Sequence, residues 1–214
     1  MDDQPTPIPS LFQGLLRGAA GGFSGALLGH LVVTACLHAG GQDWLKGPYG
    51  PHFFDISLYL GLLYGAIGLA LALKPAPALT GLLGAFLGIS LPMAVLTRVA
   101  NWGMETGAPP TLAWYWAVIV CHSLGTWGTT LALGALLFPA RRWLGALGAA
   151  LGSLAGYGTL QLFLAVVPSY AQGRWDPRSY LPSPLDLLTG ILIGAGIGAG
   201  VFLAGRIGRK SADA

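Results

Sequence analysis

His30, in "SGALLGHLVVTAC", and His122, in "AVIVCHSLGTWG", are the side chains of this 214-residue chain best suited to chemistry, and both interrupt long apolar runs. An imidazole in such a place either ligates something or hydrogen-bonds a neighbouring helix. If each run is a membrane span, both histidines fall roughly 12 to 15 Å below the same boundary, counting 1.5 Å per residue. Equal depth is what one shared ligand requires. Two ring nitrogens on one iron would make the chain a b-type haem or quinone-associated redox subunit, although no spacing motif names a cofactor. Tyr59, Gln161 and Arg98 fall in the same outer third. With His30 and His122 they form the candidate ligand or cofactor pocket.

Cys36 and Cys121 raise a second chemistry. They lie in "VTACLHAG" and "VIVCHSLG", on the apolar runs that also carry the two histidines. One cysteine on each of spans one and four resembles the layout of the thiol-disulfide transporters of cytochrome c maturation, which implies a thiol relay; the prolines flanking that family's cysteines are absent here. No zinc spacing is present. No Asp, Glu, Lys or Arg falls near the middle of an apolar run, which argues against a proton pump, a carboxylate-type sodium carrier or a voltage sensor. Ser183-Pro184-Leu185-Asp186 has the form of a capping box with proline at the first helical position, so Asp186 is expected to have a structural role.

Positioning these residues requires membrane helices. Hydrophobic residues make up 54% of the chain and charged ones 9%, with mean hydropathy +0.65, far from a soluble composition. Six windows have the roughly 20 apolar residues of a span: 13–38, 54–74, 77–100, 112–138, 143–167 and 185–206. The expected fold is all-α, a single polytopic domain over 1–214 with both termini cytoplasmic. "KPAPA" and "FPARR" are tight, basic turns; "AGGQDWLKGPYGPHF", "NWGMETGAPPT" and "PSYAQGRWDPRSYLP" are longer and aromatic. Arg17, Lys74, Arg141, Arg142, Arg206, Arg209 and Lys210 then share one side, and Lys46, Arg98, Arg174 and Arg178 the other. By the positive-inside rule the first side is the cytoplasm, which places the chain in a bacterial inner membrane. The opening "MDDQPTPIPS" lacks a basic n-region, so the first span is expected to be retained. The basic excess, 11 Lys and Arg against 8 Asp and Glu, forms no stripe that would bind nucleic acid.

An offset of 64 lays Pro75 on Pro139 and brings twelve identities into the 29 positions from Leu60/Leu124 to Gly88/Gly152. Gly18, Gly21 and Gly25 repeat the spacing of Gly81, Gly84 and Gly88 and of Gly145, Gly148 and Gly152. Three hairpin repeats follow, at roughly 13–74, 77–138 and 143–206. Residues three and four apart share a helix face, so each signature is a smooth groove that lets backbones approach closely. The last span has one such strip at Gly190, Gly194 and Gly198, and an adjoining one at Gly196 and Gly200 for a second contact.

Packing surface is thus abundant and reactive groups are few. The expected function is a non-catalytic integral subunit or scaffold of a larger membrane complex. Its grooves are expected to pack the chain's own helices together, with recruitment of a partner subunit or the lining of a pathway as the alternatives; other membrane subunits or further copies of the chain are the expected partners. The alternatives are a small-solute or lipid-like permease, with a site between repeats, and the redox subunit above.

Overall fold

The computed structural model describes residues 10–40, 52–105, 112–167 and 181–210. Among them are six α-helices and no strand: α1 (Leu11–Gly40), α2 (His52–Ala72), α3 (Pro75–Glu105), α4 (Leu112–Leu137), α5 (Arg142–Val166) and α6 (Pro184–Lys210). Among the described residues five segments are long and apolar enough to cross a membrane: Leu11–Ala39, Pro75–Leu96, Ile119–Leu137, Pro139–Val166 and Pro184–Gly208. The chain therefore has the make-up of a multi-pass membrane protein. The expected second span is shorter than the others. The whole of α2, His52–Ala72, is 21 residues and covers about 32 Å at 1.5 Å per residue.

Each helix packs on its neighbours in sequence, and α6 also packs on α1, so the six close into a ring. Every neighbouring pair is antiparallel, as contacts such as Gly29 with Tyr59, Gly21 with Ala70, and Gly14 with Gly198 require. The even helices α2, α4 and α6 also approach one another. They surround the axis, and the odd helices fill the crevices between them.

The face pattern of α3 shows how sequence makes this arrangement. Gly81, Ala85, Ile89 and Met93, four apart, are buried; Leu79, Leu83, Leu87 and Leu91, also four apart, are exposed. In lipid, large apolar residues lose nothing by pointing outward, while small ones allow helices to approach. At the centre lie Ala26, Leu63, Tyr64, Ile67, Ala85, Leu133, Ala149, Ile193 and Ile197.

The two tight turns lie at one end of the bundle. Leu73 closes α2 with φ 53°, and its N–H reaches the Leu69 carbonyl at 2.7 Å; Pro75 then opens α3. A 3-10 turn, Pro139–Arg141, joins α4 to α5. Two helices begin with serine caps. The Ser183 hydroxyl accepts from the Asp186 N–H at 3.2 Å, the first half of the expected capping box, and donates to Asp186 Oδ2 at 2.8 Å. Ser10 and Gln13 make the full reciprocal exchange: the Ser10 N–H donates to Gln13 Oε1 at 3.0 Å and the Gln13 N–H to the Ser10 hydroxyl at 3.2 Å.

One boundary needs correcting. The third span was expected to end near residue 100, with "NWGMETGAPPT" as loop, but α3 runs on to Glu105. Arg98 therefore lies seven residues before the helix end instead of in its last turn. Helix continues because neither glycine nor proline intervenes between Pro92 and Gly103, and Pro92 itself is accommodated inside α3. The other two long connections lie almost wholly outside the described residues.

Candidate functional site

The small-residue strips are filled from within the chain. Gly14, Gly18 and Gly22 of α1 lie against Gly198, Gly194 and Gly190 of α6. A Cβ placed on Gly18 would fall on the Gly194 carbonyl oxygen and 2.7 Å from its carbonyl carbon; backbone touches backbone there, and no side chain can yield. The second face of α6 does the same toward α5, Gly196 against Gly152 and Gly200 against Gly148. Gly21 and Gly25 face α2, with Ala70 Cβ 2.8 Å and Leu63 Cα 2.7 Å from their Cβ positions. Gly81 meets Tyr64 and Gly65 of α2, Gly84 meets Thr129 of α4, Gly88 meets Gly125, and Gly145 meets Gly134. Gly128 and Gly158 have nothing within 4 Å of a Cβ.

The described side chains of the candidate pocket, His30, His122, Tyr59 and Gln161, are spread over α1, α4, α2 and α5. His30 is buried on α1, at 1% exposure, and His122 is half-buried on α4. They are at equal depth, ten residues from the α1 end at Gly40 and ten from the α4 start at Leu112. Yet α1 packs on α2 and α6, and α4 on α3 and α5. The helices carrying the two imidazoles are thus not packing partners. Cys36 and Cys121 are both free and are separated by the same helix order. Gln161 is exposed on α5, and the side chain of Arg98 lies outside the described residues. Tyr59 packs beside Gly29, its Cδ2 2.9 Å from the Cβ position. It lines a pocket of about 230 Å³ with Ile56, Leu60 and Asp186.

A polar feature that the sequence reading missed lies deeper. Tyr64 of α2, 4% exposed, hydrogen-bonds with Thr130 of α4 and Ser153 of α5. Thr130 gives its own proton to the Thr126 carbonyl at 2.8 Å, so its oxygen accepts from Tyr64. The hydroxyls of Tyr64, Thr130 and Ser153 thus gather where α2, α4 and α5 meet. On α1, one turn beyond His30, the fully buried Thr34 hydroxyl has no hydrogen-bond partner, while its carbonyl accepts from His38 Nδ1 at 2.8 Å.

Among the described residues no group of three or more His, Cys, Asp or Glu is placed to hold a metal ion. The chain matches no family model, no curated protein and no solved structure.

Proposed function

We propose that the chain is a non-catalytic integral subunit or scaffold of a bacterial inner-membrane assembly, with both termini in the cytoplasm. The observation that carries this reading is the filled set of glycine strips. Backbone-to-backbone seams run all round the ring, whereas the two histidines sit on α1 and α4, which are not neighbours in it. Because the strips are occupied internally, other subunits or further copies of the chain would meet the outward faces and the loops. Arg17, Lys74, Arg141, Arg142 and Arg206 at the tight-turn end support a cytoplasmic assignment for that end. Extraction in a gentle detergent followed by mass determination tests the proposal: companions or a defined oligomer are expected, and a monodisperse lone monomer contradicts it.

The three-hairpin repeat is part of the same reading. Its support is positional: the first glycine of each signature meets the preceding even helix (Gly18 with α6, Gly81 with α2, Gly145 with α4), and the second and third meet the following one. Ring closure puts α6 before α1, so the rule holds for all three.

A permease is the second reading, favoured by the hydroxyl cluster at Tyr64 where α2, α4 and α5 meet. Small polar solutes would be the cargo. Efflux from proteoliposomes that slows in Tyr64→Phe would support it. The haem reading has equal depth of His30 and His122 in its favour and the helix order against it. A Soret band lost in His30→Ala would support it.

A further inference from the structure

We infer that the outward face of α4, between α3 and α5, seats one anionic phospholipid whose headgroup meets Lys74 and Arg142. This goes beyond the scaffold reading and does not rest on it.

The three even helices differ in how far their neighbours cover them. On α2 only Leu69 is exposed between Ile56 and Ala72, and on α6 no residue is exposed between Leu185 and Phe202. On α4 the series Val120, Leu124, Gly128, Ala132 and Leu136 is exposed throughout; residues four apart share one face. Gly128 has nothing within 4 Å of a Cβ, so α3 and α5 do not close over it. Exposed leucines edge the opening, Leu79 and Leu83 on α3, Leu147 and Leu151 on α5. With α4 on the inner side of the ring and α3 and α5 outside it, the open face is the floor of a groove. From Val120 to Leu136 the floor runs about 26 Å at 1.5 Å per residue. An acyl chain spanning one leaflet, about half of the roughly 30 Å hydrocarbon core, lies within that length.

Charge selects the lipid. The groove ends at the tight turns, where Lys74 precedes α3 and Arg142 opens α5, both exposed. Gly84 lies beside Thr129 and Gly88 beside Gly125; the same register brings Pro75 level with Phe138, so the two cations border one end of α4. Trp143 follows, 63% exposed, a residue type that settles at headgroup level. No Asp or Glu occurs from residue 56 to 104 or from 106 to 175, so α3, α4 and α5 bring no carboxylate to this end. Even with the chain ends counted, Arg17, Lys74, Arg141, Arg142, Arg206, Arg209 and Lys210 face only Asp2, Asp3 and Asp213, seven against three. A phosphate between Lys74 and Arg142 accepts charge-assisted hydrogen bonds. A zwitterionic headgroup brings an ammonium that the same cations repel, and an apolar partner helix would fill the groove without answering the charge at its end.

Native mass spectrometry of the full chain, released from micelles with added phosphatidylglycerol, phosphatidylethanolamine or phosphatidylcholine, tests the inference. One phosphatidylglycerol is expected to bind about twentyfold tighter than either other lipid, and Lys74→Gln and Arg142→Gln should each weaken it about fivefold, the worth of one cation at a membrane surface. Gly128→Leu fills the groove and leaves the charges in place, so the preference should vanish in a chain of native helical content. Arg206→Gln, at the same end but beside Phe202 on α6, should leave it unchanged. Equal binding of the three lipids overturns the inference. Equal losses in Arg206→Gln and Arg142→Gln overturn it too, since overall charge would then be the cause. So does a dimer that forms without phosphatidylglycerol and is broken by Gly128→Leu, because a second copy would hold the groove. A lone monomer that retains one phosphatidylglycerol contradicts the scaffold reading and supports this one.

Discussion

Adding one methyl group to selected glycines reports directly on the seams. In Gly18→Ala the new Cβ meets the Gly194 carbonyl, 2.7 Å from its carbon and 3.2 Å from the Ala195 nitrogen, whereas ordinary contact begins at 3.4 Å. The obstacle is the Gly194 backbone carbonyl itself, so α1 and α6 must separate by roughly an ångström along a seam shared with Gly14 and Gly22. Overpacking of this kind costs about 1–3 kcal/mol. Alanine returns roughly 0.5–1 kcal/mol of helix preference, leaving a net loss of about 1–2 kcal/mol. Gly128→Ala gains the same preference and meets nothing within 4 Å, so it should stabilise the chain by about 0.5–1 kcal/mol. The two substitutions have opposite signs although both are Gly→Ala in an apolar helix. Unfolding by rising SDS fraction in mixed micelles, followed by circular dichroism, measures both. The double variant Gly18→Ala/Gly194→Ala should depart from additivity by 0.5 kcal/mol or more, on the order of couplings between touching residues. Equal effects at Gly18 and Gly128, or strict additivity at the seam, would refute the reasoning.

Four further outcomes use the same assay or a simple gel. Thr34→Val keeps the shape and removes an unpartnered buried hydroxyl, so a gain of about 1 kcal/mol is expected; a loss would mean that the hydroxyl has a partner. Ser183→Ala removes the α6 cap and should cost about 1 kcal/mol, with Ser10→Ala giving a similar loss at α1. Leu73→Gly relieves a left-handed backbone at a residue 70% exposed and should stabilise by about 1 kcal/mol. Oxidation of the native chain should leave Cys36 and Cys121 unlinked to each other, read as unchanged mobility on a non-reducing gel.

The helices were legible because lipid imposes length and apolarity on every span. Their ends were less so: α3 outran its expected limit through Asn101 to Glu105, where the residues are polar enough for a loop but contain no breaker until the final turn. The glycine strips could be read as grooves, since spacing by three and four fixes a shared face whatever the partner. Which helix fills each groove depends on the order around the ring, and no local pattern carries that. The same missing order let His30 and His122 look like partners, as equal depth constrains height and not direction. Tyr64 escaped notice because "LGLLYGAIG" is apolar on every side of the helix; its importance comes from Thr130 and Ser153 on other helices. Asp186, by contrast, was recognisable from Ser183 and Pro184 alone.

Cross-linking across the α1–α6 seam tests most directly whether that seam belongs to one chain. The Cβ position of Gly190 lies 2.8 Å from the Ala26 Cβ, near enough for a disulfide after slight opening. In a Cys36→Ser/Cys121→Ser background, the pair Ala26→Cys/Gly190→Cys should oxidise to a monomer of altered mobility that reduction restores. A cross-linked dimer, or no cross-link in a folded chain, would show that the strip on α1 meets something other than its own α6.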